Sequence, residues 1–251
     1  MKLSGKKYVI VNADDFGQSA GVNRGIIGAH ERGIVTSASL MVRWPAAAEA
    51  AAYSQGRPEL SLGLHLDLGE WVYRAGEWKS LYTVIPIEDR RAVGDEIVRQ
   101  LDAFRRLTGR NPTHIDSHQH VHLREPVRSA LFETVRDLAL PLRHFNPAIR
   151  YCGEFYGQTT EGFSLFDVIS VEGLSKILEG LPDGVTELSC HPGEGNDLDT
   201  MYRNERAQEA DVLCDPRVRE SLRRFGIELC SFSRGGPLVN ERIGSLDYKE
   251  G

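Results

Sequence analysis

Residues 114–122 place a reactive side chain at every second position. These side chains are His114, Asp116, His118, His120 and His122. In an extended strand they would point to one face for as long as the strand lasts. Packing does not explain four imidazoles and a carboxylate on one face, whereas neutral imidazole is a common metal ligand whose tautomer a carboxylate can fix. The spacing favours a metal site; the alternative is a polar strand edge or a substrate surface without metal.

Two adjacent carboxylates, Asp14 and Asp15, follow the apolar run 8–11. Carboxylates after an apolar strand are costly to bury unless they are solvated, cap a helix or bind a cation. One of them could cap the next helix, but Ser19 could do so too, and capping leaves the second aspartate unexplained. Side by side, one carboxylate can bind a metal ion while its neighbour accepts a proton from the water that the ion activates.

Three further polar residues lie at the ends of apolar stretches. His65 belongs to the run 60–66, His191 precedes a Pro-Gly turn, and Arg143 ends a short apolar segment. Taken alone, each has an ordinary explanation as a core histidine, a loop histidine or a surface arginine. One aspartate and two histidines, however, could bind a divalent ion together. Such a set leaves some coordination positions of the ion open for water.

Apolar strands and amphipathic helices alternate along the chain. Strands are predicted at 8–12, 36–41, 60–66, from 114, 141–143, 186–189 and 227–232. Helices are predicted at 19–32, 46–53, 87–107, 125–138, 173–181 and 216–225. The remaining long segments are predicted to be an aromatic loop at 69–85 and an irregular region at 144–170.

This alternation predicts a mainly parallel sheet with right-handed crossovers. With about seven strand–helix units, the expected form is a (β/α) barrel with eight strands or fewer. The length suits one α/β domain over residues 1–251. In such folds ligands bind at the C-terminal ends of the strands, which is where the candidate residues fall.

The composition is that of an ordinary globular chain: of 251 residues, 41% are hydrophobic and 26% charged, and the net charge is −6. An acidic balance argues against nucleic acid or an anionic membrane as a partner. No stretch approaches the ~18 apolar residues of a transmembrane segment, and the first residues lack the apolar core of a signal peptide. The cysteines are scattered, which favours reduced thiols and a cytoplasmic location. The sequence does not determine the oligomeric state; if the chain assembles, a homodimer is expected, because dimers are the commonest oligomers of soluble proteins.

Several motifs in the same order resemble those of the YdjC-like carbohydrate deacetylases, a family that includes chitooligosaccharide deacetylases and relatives encoded with hopanoid-lipid biosynthesis. The resemblance is dense over residues 8–66 and 112–123 and recurs at 186–193. The matching motifs are Val-Asn-Ala-Asp-Asp-Phe-Gly at 11–17, Gly-Ile-Val-Thr-Ser-Ala-Ser-Leu-Met at 33–41, Gly-Leu-His-Leu at 63–66, Pro-Thr-His-Ile-Asp-Ser-His-Gln-His-Val-His at 112–122 and Cys-His-Pro at 190–192.

The resemblance implies a deformed (β/α) barrel related to polysaccharide deacetylases, with one divalent metal ion such as Zn²⁺ or Mg²⁺. By motif position, the ligands of this ion would be Asp15, His65 and His118. Asp14 would be the general base, and His191 would protonate the departing amine. Arg143 would orient Asp14, although its flanking residues differ from the family pattern.

The implied activity is hydrolysis of the acetamide of an N-acetylated sugar, with release of acetate. The substrate would be a chitooligosaccharide-like chain or a lipid-linked N-acetylglucosamine. The residues expected near this substrate or behind the metal ligands are Asp116, His120 and His122. The aromatic residues Trp71, Tyr73 and Trp78 would stack on a sugar ring or, equally, fold back into a local core.

Two other function classes fit parts of the pattern. An amidohydrolase- or phosphoesterase-like barrel would use a pair such as His118 and His120 with two metal ions and a bridging carboxylate. A non-catalytic sugar- or metal-binding relative would have kept the fold without the activity. A serine nucleophile is disfavoured, because no serine lies in a Gly-x-Ser-x-Gly motif.

Overall fold

The computed structural model describes residues 5–194 and 197–233. Its strands, in chain order, are β1 (Lys7–Phe16), β2 (Ser37–Leu40), β3 (Ser61–Leu66), β4 (Gly69–Arg74), β5 (Glu77–Thr83), β6 (Ile115–Ser117), β7 (Ile149–Cys152), β8 (Gly184–Cys190) and β9 (Ile227–Cys230). Its α-helices are α1 (Ala20–Glu31), α2 (Ala47–Gln55), α3 (Arg90–Thr108), α4 (Val127–Val135), α5 (Val171–Gly180), α6 (Asn204–Cys214) and α7 (Pro216–Arg224).

The main sheet is parallel and is built around β1. Its order is β6–β3–β2–β1–β8–β7, and β9 also pairs with β1. β8 pairs with one edge of β1, from Lys7 to Ala13. The other edge of β1 is shared by two strands. β9 pairs there with residues 7–10, and β2 pairs with later residues. The sheet curls into a half-barrel with β6 and β7 at its edges, so the prediction of a deformed, mainly parallel α/β barrel is confirmed.

The two faces of β1 contact different apolar clusters. Val9 and Val11 belong to the main core together with residues of α1, so the helices cover that face. Tyr8 and Ile10 belong to a smaller cluster with residues of β8 and β9. A strand buried on both faces is typical of a parallel sheet. Because side chains alternate along a strand, residues 12 and 14 continue the second face toward the C-terminal end of the sheet.

Local sequence signals explain where the helices begin and end. The Ser19 hydroxyl accepts a hydrogen bond from the backbone N–H of Val22 and caps α1. Asp89 caps α3 in the same way, and Gly109, with φ of 72°, ends that helix in the left-handed conformation. Within the described ranges, none of the helices combines the length and the apolar character that crossing a bilayer requires.

The segment 69–85 forms a hairpin, so the prediction of a loop is wrong. β4 and β5 pair antiparallel from Gly69 opposite Thr83 to Arg74 opposite Glu77. Most of β5 is exposed, and a strand without a buried face lacks the alternation of apolar and polar residues by which a strand is recognised in a sequence.

The strand predicted from residue 114 is short. It ends at Ser117, and a 3-10 turn follows over His118–Leu123. Gln119 and His120 have φ of 50° and 53°, values that an extended strand cannot contain. The alternating face predicted for this segment therefore ends at Ser117, and the three later histidines point to different partners.

Besides the strands of the hairpin, two further elements were not predicted from the sequence, and one predicted strand does not form. β7 lies inside the segment predicted to be irregular, and α6 lies in a segment with no prediction. Residues 141–143 do not form a strand of their own, because Leu142 makes only an isolated bridge with Ile115.

Candidate active site

The end of β1 turns two neighbouring carboxylates toward different partners. Asp14 follows the alternation of the strand, but Asp15 has φ of 67°, in the left-handed region that few non-glycine residues adopt. The chain turns there, with the N–H of Gln18 bonded to the carbonyl of Asp15 at 3.0 Å. Both carboxylates are buried. Backbone strain of this kind is typical of functional sites.

Asp15 meets two histidines from other strand ends. Its Oδ1 lies 3.0 Å from Nδ1 of His118 and 3.2 Å from Nε2 of His65. All three side chains are buried, and their ligand atoms lie close enough together to hold one metal ion. The structure thus brings together the three residues that the family resemblance implies as ligands.

This group fits a divalent ion. Two adjacent ligand atoms of an octahedral ion lie about 3 Å apart when each is about 2.1 Å from the metal, and both histidine–Asp15 distances are close to that spacing. Nε2 of His65, the atom that faces Asp15, is buried without a hydrogen-bond partner, which is unusual in folded proteins and is expected of an atom that would bind an ion. Oxygen and imidazole donors suit Zn²⁺, Mg²⁺, Mn²⁺ and related ions.

Asp116 stands behind His65. Its Oδ1 lies 2.7 Å from Nδ1 of His65, and its Oδ2 accepts a hydrogen bond from the Ser39 hydroxyl at 2.6 Å. A carboxylate on the far nitrogen of a metal-binding histidine fixes the tautomer that leaves the other nitrogen free to bind. Asp116 also belongs to a second possible ligand group, with Asp14 and His65.

Asp14 is held by Arg143. The guanidinium donates two hydrogen bonds to the two carboxylate oxygens, both at 2.7 Å. Arg143 is buried and also pairs with Asp116 at 2.8 Å and with Glu187 at 2.7 Å. Burial alone would raise the pKa of Asp14, but the guanidinium outweighs it and lowers that pKa, so the carboxylate is ionised at neutral pH.

His191 follows β8 and lies beside Asp14. Its Nε2 is 3.8 Å from Oδ2 of Asp14, and its side chain is one-fifth exposed. Burial lowers the pKa of His191 to about 4, so the imidazole is neutral at pH 7 until a proton reaches it. We call the side chains of Asp14, Asp15, His65, His118 and Arg143 the strand-end cluster, and His191 lies at its border.

A cavity of about 690 Å³ opens above the strand-end cluster. Asp14, Asp15, His65, His118 and His191 all line it. Several aromatic side chains line it, and we call four of them the aromatic rim; these are Trp71, Trp78, Tyr156 and Tyr202.

The rim is held by a few specific contacts. The side-chain amide of Gln119 accepts a hydrogen bond from the N–H of Trp71 at 2.9 Å and donates one to its carbonyl at 2.7 Å. Tyr156 stacks on Tyr202 with ring centroids 4.6 Å apart. Trp78 is 52% exposed, so part of its ring is free for a ligand.

Comparison with known proteins places the chain in a family. A family model described as YdjC-like protein matches residues 8–224. The chain belongs to the YdjC-like family. It is 32% identical to a carbohydrate deacetylase of Geobacillus stearothermophilus, with 90% of this chain and 97% of the relative covered. It is 30% identical to a chitooligosaccharide deacetylase of Serratia marcescens, with 90% and 98% covered.

Solved structures share the fold of this YdjC-like chain. A protein of Enterococcus faecalis V583, provisionally named for cellobiose-phosphate cleavage, superposes with a TM-score of 0.72 at 26% identity over 91% of this chain and 98% of that one. A family 4 acetyl xylan esterase of Clostridium thermocellum, solved with a cobalt ion, gives a TM-score of 0.51 at 13% identity over 90% and 89%.

The other histidines of the motif have separate places in the YdjC-like chain. His120 lines the cavity, and its Nε2 lies 3.1 Å from the Tyr151 hydroxyl. His122 is buried and does not line the cavity; its Nδ1 lies 2.5 Å from the Ser117 hydroxyl. In the part of the chain that the structure describes, no possible metal group combines His118 with His120. A paired-histidine site with two metal ions therefore has no support in the geometry.

Tyr73 does not line the cavity. Its ring packs edge-on against Trp78, with centroids 5.7 Å apart. Of the three aromatic residues expected to meet a sugar, Trp71 and Trp78 line the cavity, whereas Tyr73 contacts Trp78.

Several side chains at the site were not found from the sequence. Arg206 and Tyr202 line the cavity close to Asp15 and His191, and Glu70 lines it beside His118. These residues lie on or next to α6 and in the hairpin, which carry no chemical motif and no clear period. Only one signal was available, the excess of charged residues at 203–211, and such a run is usually a solvated helix face.

Proposed function

We propose that this chain hydrolyses the acetamide of an N-acetylated carbohydrate and releases acetate. The observation that carries the proposal is the convergence of Asp15, His65 and His118 in one cavity that also holds Asp14 and His191. The deacetylase names of relatives that match over nearly their whole length support the same reaction. The substrate proposed is a sugar or short oligosaccharide that carries an N-acetyl group.

The metal site would be formed by Asp15, His65 and His118 and would take one divalent ion, with Zn²⁺ and Mg²⁺ as leading candidates. When bound, such an ion acidifies water and polarises a carbonyl group. Burial alone would raise the pKa of Asp15, but that pKa lies well below its usual range, chiefly because of the Arg206 guanidinium, so the carboxylate is ionised and can bind a cation.

The protons would be moved by two side chains of this chain. Asp14 would accept the proton of the attacking water at a carboxylate oxygen, and Arg143 would hold that carboxylate in place through its two hydrogen bonds. His191 would deliver a proton to the amide nitrogen as the C–N bond breaks. Its Nε2 is near enough to Asp14 for both to contact one acetamide group.

The aromatic rim would bind the sugar. Trp71 and Trp78 lie on the hairpin and Tyr156 on the segment before α5, and all three line the cavity. Aromatic faces offer large contact areas at a small entropic cost. We propose that they hold the sugar rings while the N-acetyl group reaches the strand-end cluster.

Acetate release from a panel of N-acetylglucosamine oligomers tests this function directly. The wild-type chain, loaded with Mg²⁺ or Zn²⁺, is expected to remove one acetyl group, read by mass spectrometry as the loss of a single acetyl per product. Asp14→Asn should lower kcat about 10²–10⁴-fold, since that is the usual contribution of a general base. Asp14→Asn should still bind the metal ion.

Two outcomes would contradict the proposal. One is a wild-type chain that binds metal but releases no acetate from any acetylated sugar in the panel, as expected of a non-catalytic relative. The other is an Asp14→Asn variant as active as the wild type, which would remove the proposed base.

A further inference from the structure

Arg206 is a buried cation that contacts the proposed metal ligand Asp15. It is 2% exposed, and its guanidinium donates a hydrogen bond at 2.7 Å to Oδ2 of Asp15. The other carboxylate oxygen, Oδ1, is the one that faces His65 and His118. The two oxygens of one carboxylate therefore have separate partners, a cation on one and the two histidines on the other.

The rest of the guanidinium is fixed by backbone carbonyls. Its Nε donates to the carbonyl of Tyr202 at 3.0 Å, and a terminal nitrogen donates to the carbonyl of His191 at 3.4 Å. The backbone carbonyl of Arg206 accepts a hydrogen bond from the N–H of Gly193 at 3.0 Å. The hydrogen bonds of the guanidinium leave this planar group little freedom to rotate, which is the advantage of arginine over lysine at such a place.

Glu209, one turn further along α6, holds the same backbone segment from its other side. Its Oε2 accepts a hydrogen bond from the backbone N–H of His191 at 2.5 Å. Its Oε1 accepts a hydrogen bond from the Tyr202 hydroxyl. The carbonyl and the N–H of His191 are thus both bonded to side chains of α6, and one of these side chains also holds Asp15.

We propose that Arg206 is a positioning residue that makes Asp15 a one-oxygen metal ligand and couples it to His191. By occupying Oδ2, the guanidinium leaves only Oδ1 for the ion and keeps a coordination position open for water and substrate. Through the carbonyl of His191, the same group sets where the proposed acid stands relative to the metal site. This inference rests on the proposed function, since it takes Asp15 as a metal ligand and His191 as the acid.

Substitution of Arg206 separates its role in metal binding by Asp15 from its role in placing His191. In Arg206→Met, Asp15 loses its partner, and we expect the affinity for Mn²⁺ to fall about 10–100-fold, the usual effect of removing a residue that orients a metal ligand. At saturating Mn²⁺, kcat should fall as well, because the carbonyl of His191 loses the contact that sets its position. In Arg206→Lys, one donor remains for Asp15, so Mn²⁺ affinity should stay within about threefold of wild type while kcat remains reduced.

The affinity is measured by titration calorimetry with Mn²⁺ alone, an ion that prefers oxygen and nitrogen ligands and so avoids the four free cysteines. Arg203→Met is the matched control, because Arg203 is an exposed arginine at the start of the same helix, and its affinity and kcat should equal those of the wild type. Circular dichroism without metal shows whether each variant is folded.

The proposal is overturned if Arg206→Met binds Mn²⁺ as tightly as or more tightly than the wild type, since the guanidinium would then only compete with the ion. It is also overturned if Arg206→Lys loses as much affinity as Arg206→Met, which would indicate a general structural role. If Arg206→Met does not fold, Arg206→Lys tests the proposal alone. The proposal then requires a Mn²⁺ affinity within about threefold of wild type together with a reduced kcat. A wild-type chain that binds Mn²⁺ without releasing acetate would refute the deacetylase and the coupling to an acid at His191, whereas the role of Arg206 toward Asp15 would still be decided by the Mn²⁺ affinities.

Discussion

The strand-end cluster and the aromatic rim hold their side chains by different means. In the cluster, Arg143 is buried against Asp14, Asp116 and Glu187, so each charged group is fixed by others. In the rim, Trp71 is held through its backbone by Gln119, and Trp78 is half exposed.

This difference follows from the chemistry assigned to each region. Proton transfer and metal binding need atoms held to within a few tenths of an ångström, and buried, paired charges on rigid strands provide that. Sugar binding needs area and some adaptability, which exposed aromatic rings on a hairpin provide. Variants of the cluster should therefore lower kcat, metal affinity or stability, whereas variants of the rim should raise KM alone.

The largest effect is expected for a metal ligand in the cluster. His65→Ala removes an imidazole that has no substitute nearby, so Mn²⁺ binding should be lost and kcat/KM should fall at least about 1,000-fold, because Lewis-acid catalysis contributes several kcal/mol. Calorimetry and acetate release measure both. His30→Ala, a histidine of α1 bonded to the carbonyl of Val35, is the control; equal losses in both variants would contradict the assignment.

Arg143 should affect both activity and stability. Arg143→Met leaves three buried carboxylates without their cation, and breaking such a buried pair destabilises a protein by about 3–5 kcal/mol. The free energy of unfolding in urea should fall by that order, and kcat about 100-fold because Asp14 loses its orientation. Arg150→Met, which changes an exposed arginine of β7, should change neither; a stable and active Arg143→Met would show that the cluster does not depend on its central cation.

A smaller effect is expected at the rim. Trp71→Ala removes a cavity wall and should raise KM about 3–10-fold, since an aromatic contact is worth about 0.5–1.5 kcal/mol beyond its buried area. Its kcat should stay within about twofold. Steady-state kinetics with an N-acetylglucosamine oligomer measures both, and Phe163→Ala, 69% exposed and outside the cavity, is the control. A fall in kcat with KM unchanged would break the division between the two regions.

The smallest effect is expected for Gln119. Gln119→Ala removes the two hydrogen bonds that fix the backbone of Trp71, each worth about 0.5–1.5 kcal/mol. Because the ring itself remains, KM should rise only about two- to threefold. Gln119→Glu keeps the acceptor but loses the donor, so its KM should lie between those of the wild type and the alanine variant, and any other order would show that the hairpin is held elsewhere.

The sequence predicted the cluster better than the rim for a physical reason. Asp15 and His65 lie near the ends of apolar strands, and parallel strands bring their C-terminal ends together, so their position made them candidates, and the resemblance to the YdjC-like family implied their role as ligands. Arg206 reaches Asp15 from α6, across 191 residues of sequence, and no period or motif marks it. Trp71 lies on a hairpin whose second strand is mostly exposed. Such a strand shows no alternation of apolar and polar residues, so the hairpin could not be predicted from the sequence.

The turn after β6 shows the same limit on a smaller scale. Residues 114–122 alternate as a strand would, and the composition of the motif pointed correctly to this part of the chain. The left-handed conformations of Gln119 and His120 separate His118 from His122, and non-glycine residues give no local signal for such a conformation. Contacts with distant residues help to determine where the imidazoles point: His118 contacts Asp15, and His120 contacts the Tyr151 hydroxyl.

The location of a metal ion in a crystal tests the central claim most directly. In a crystal grown with Mn²⁺, anomalous scattering should show one ion bound by Oδ1 of Asp15 and by the imidazoles of His65 and His118. An ion held instead by Asp14, His65 and Asp116, the second possible group, would contradict the account, because the proposed base would then be a ligand. Two ions in the cavity would contradict it as well.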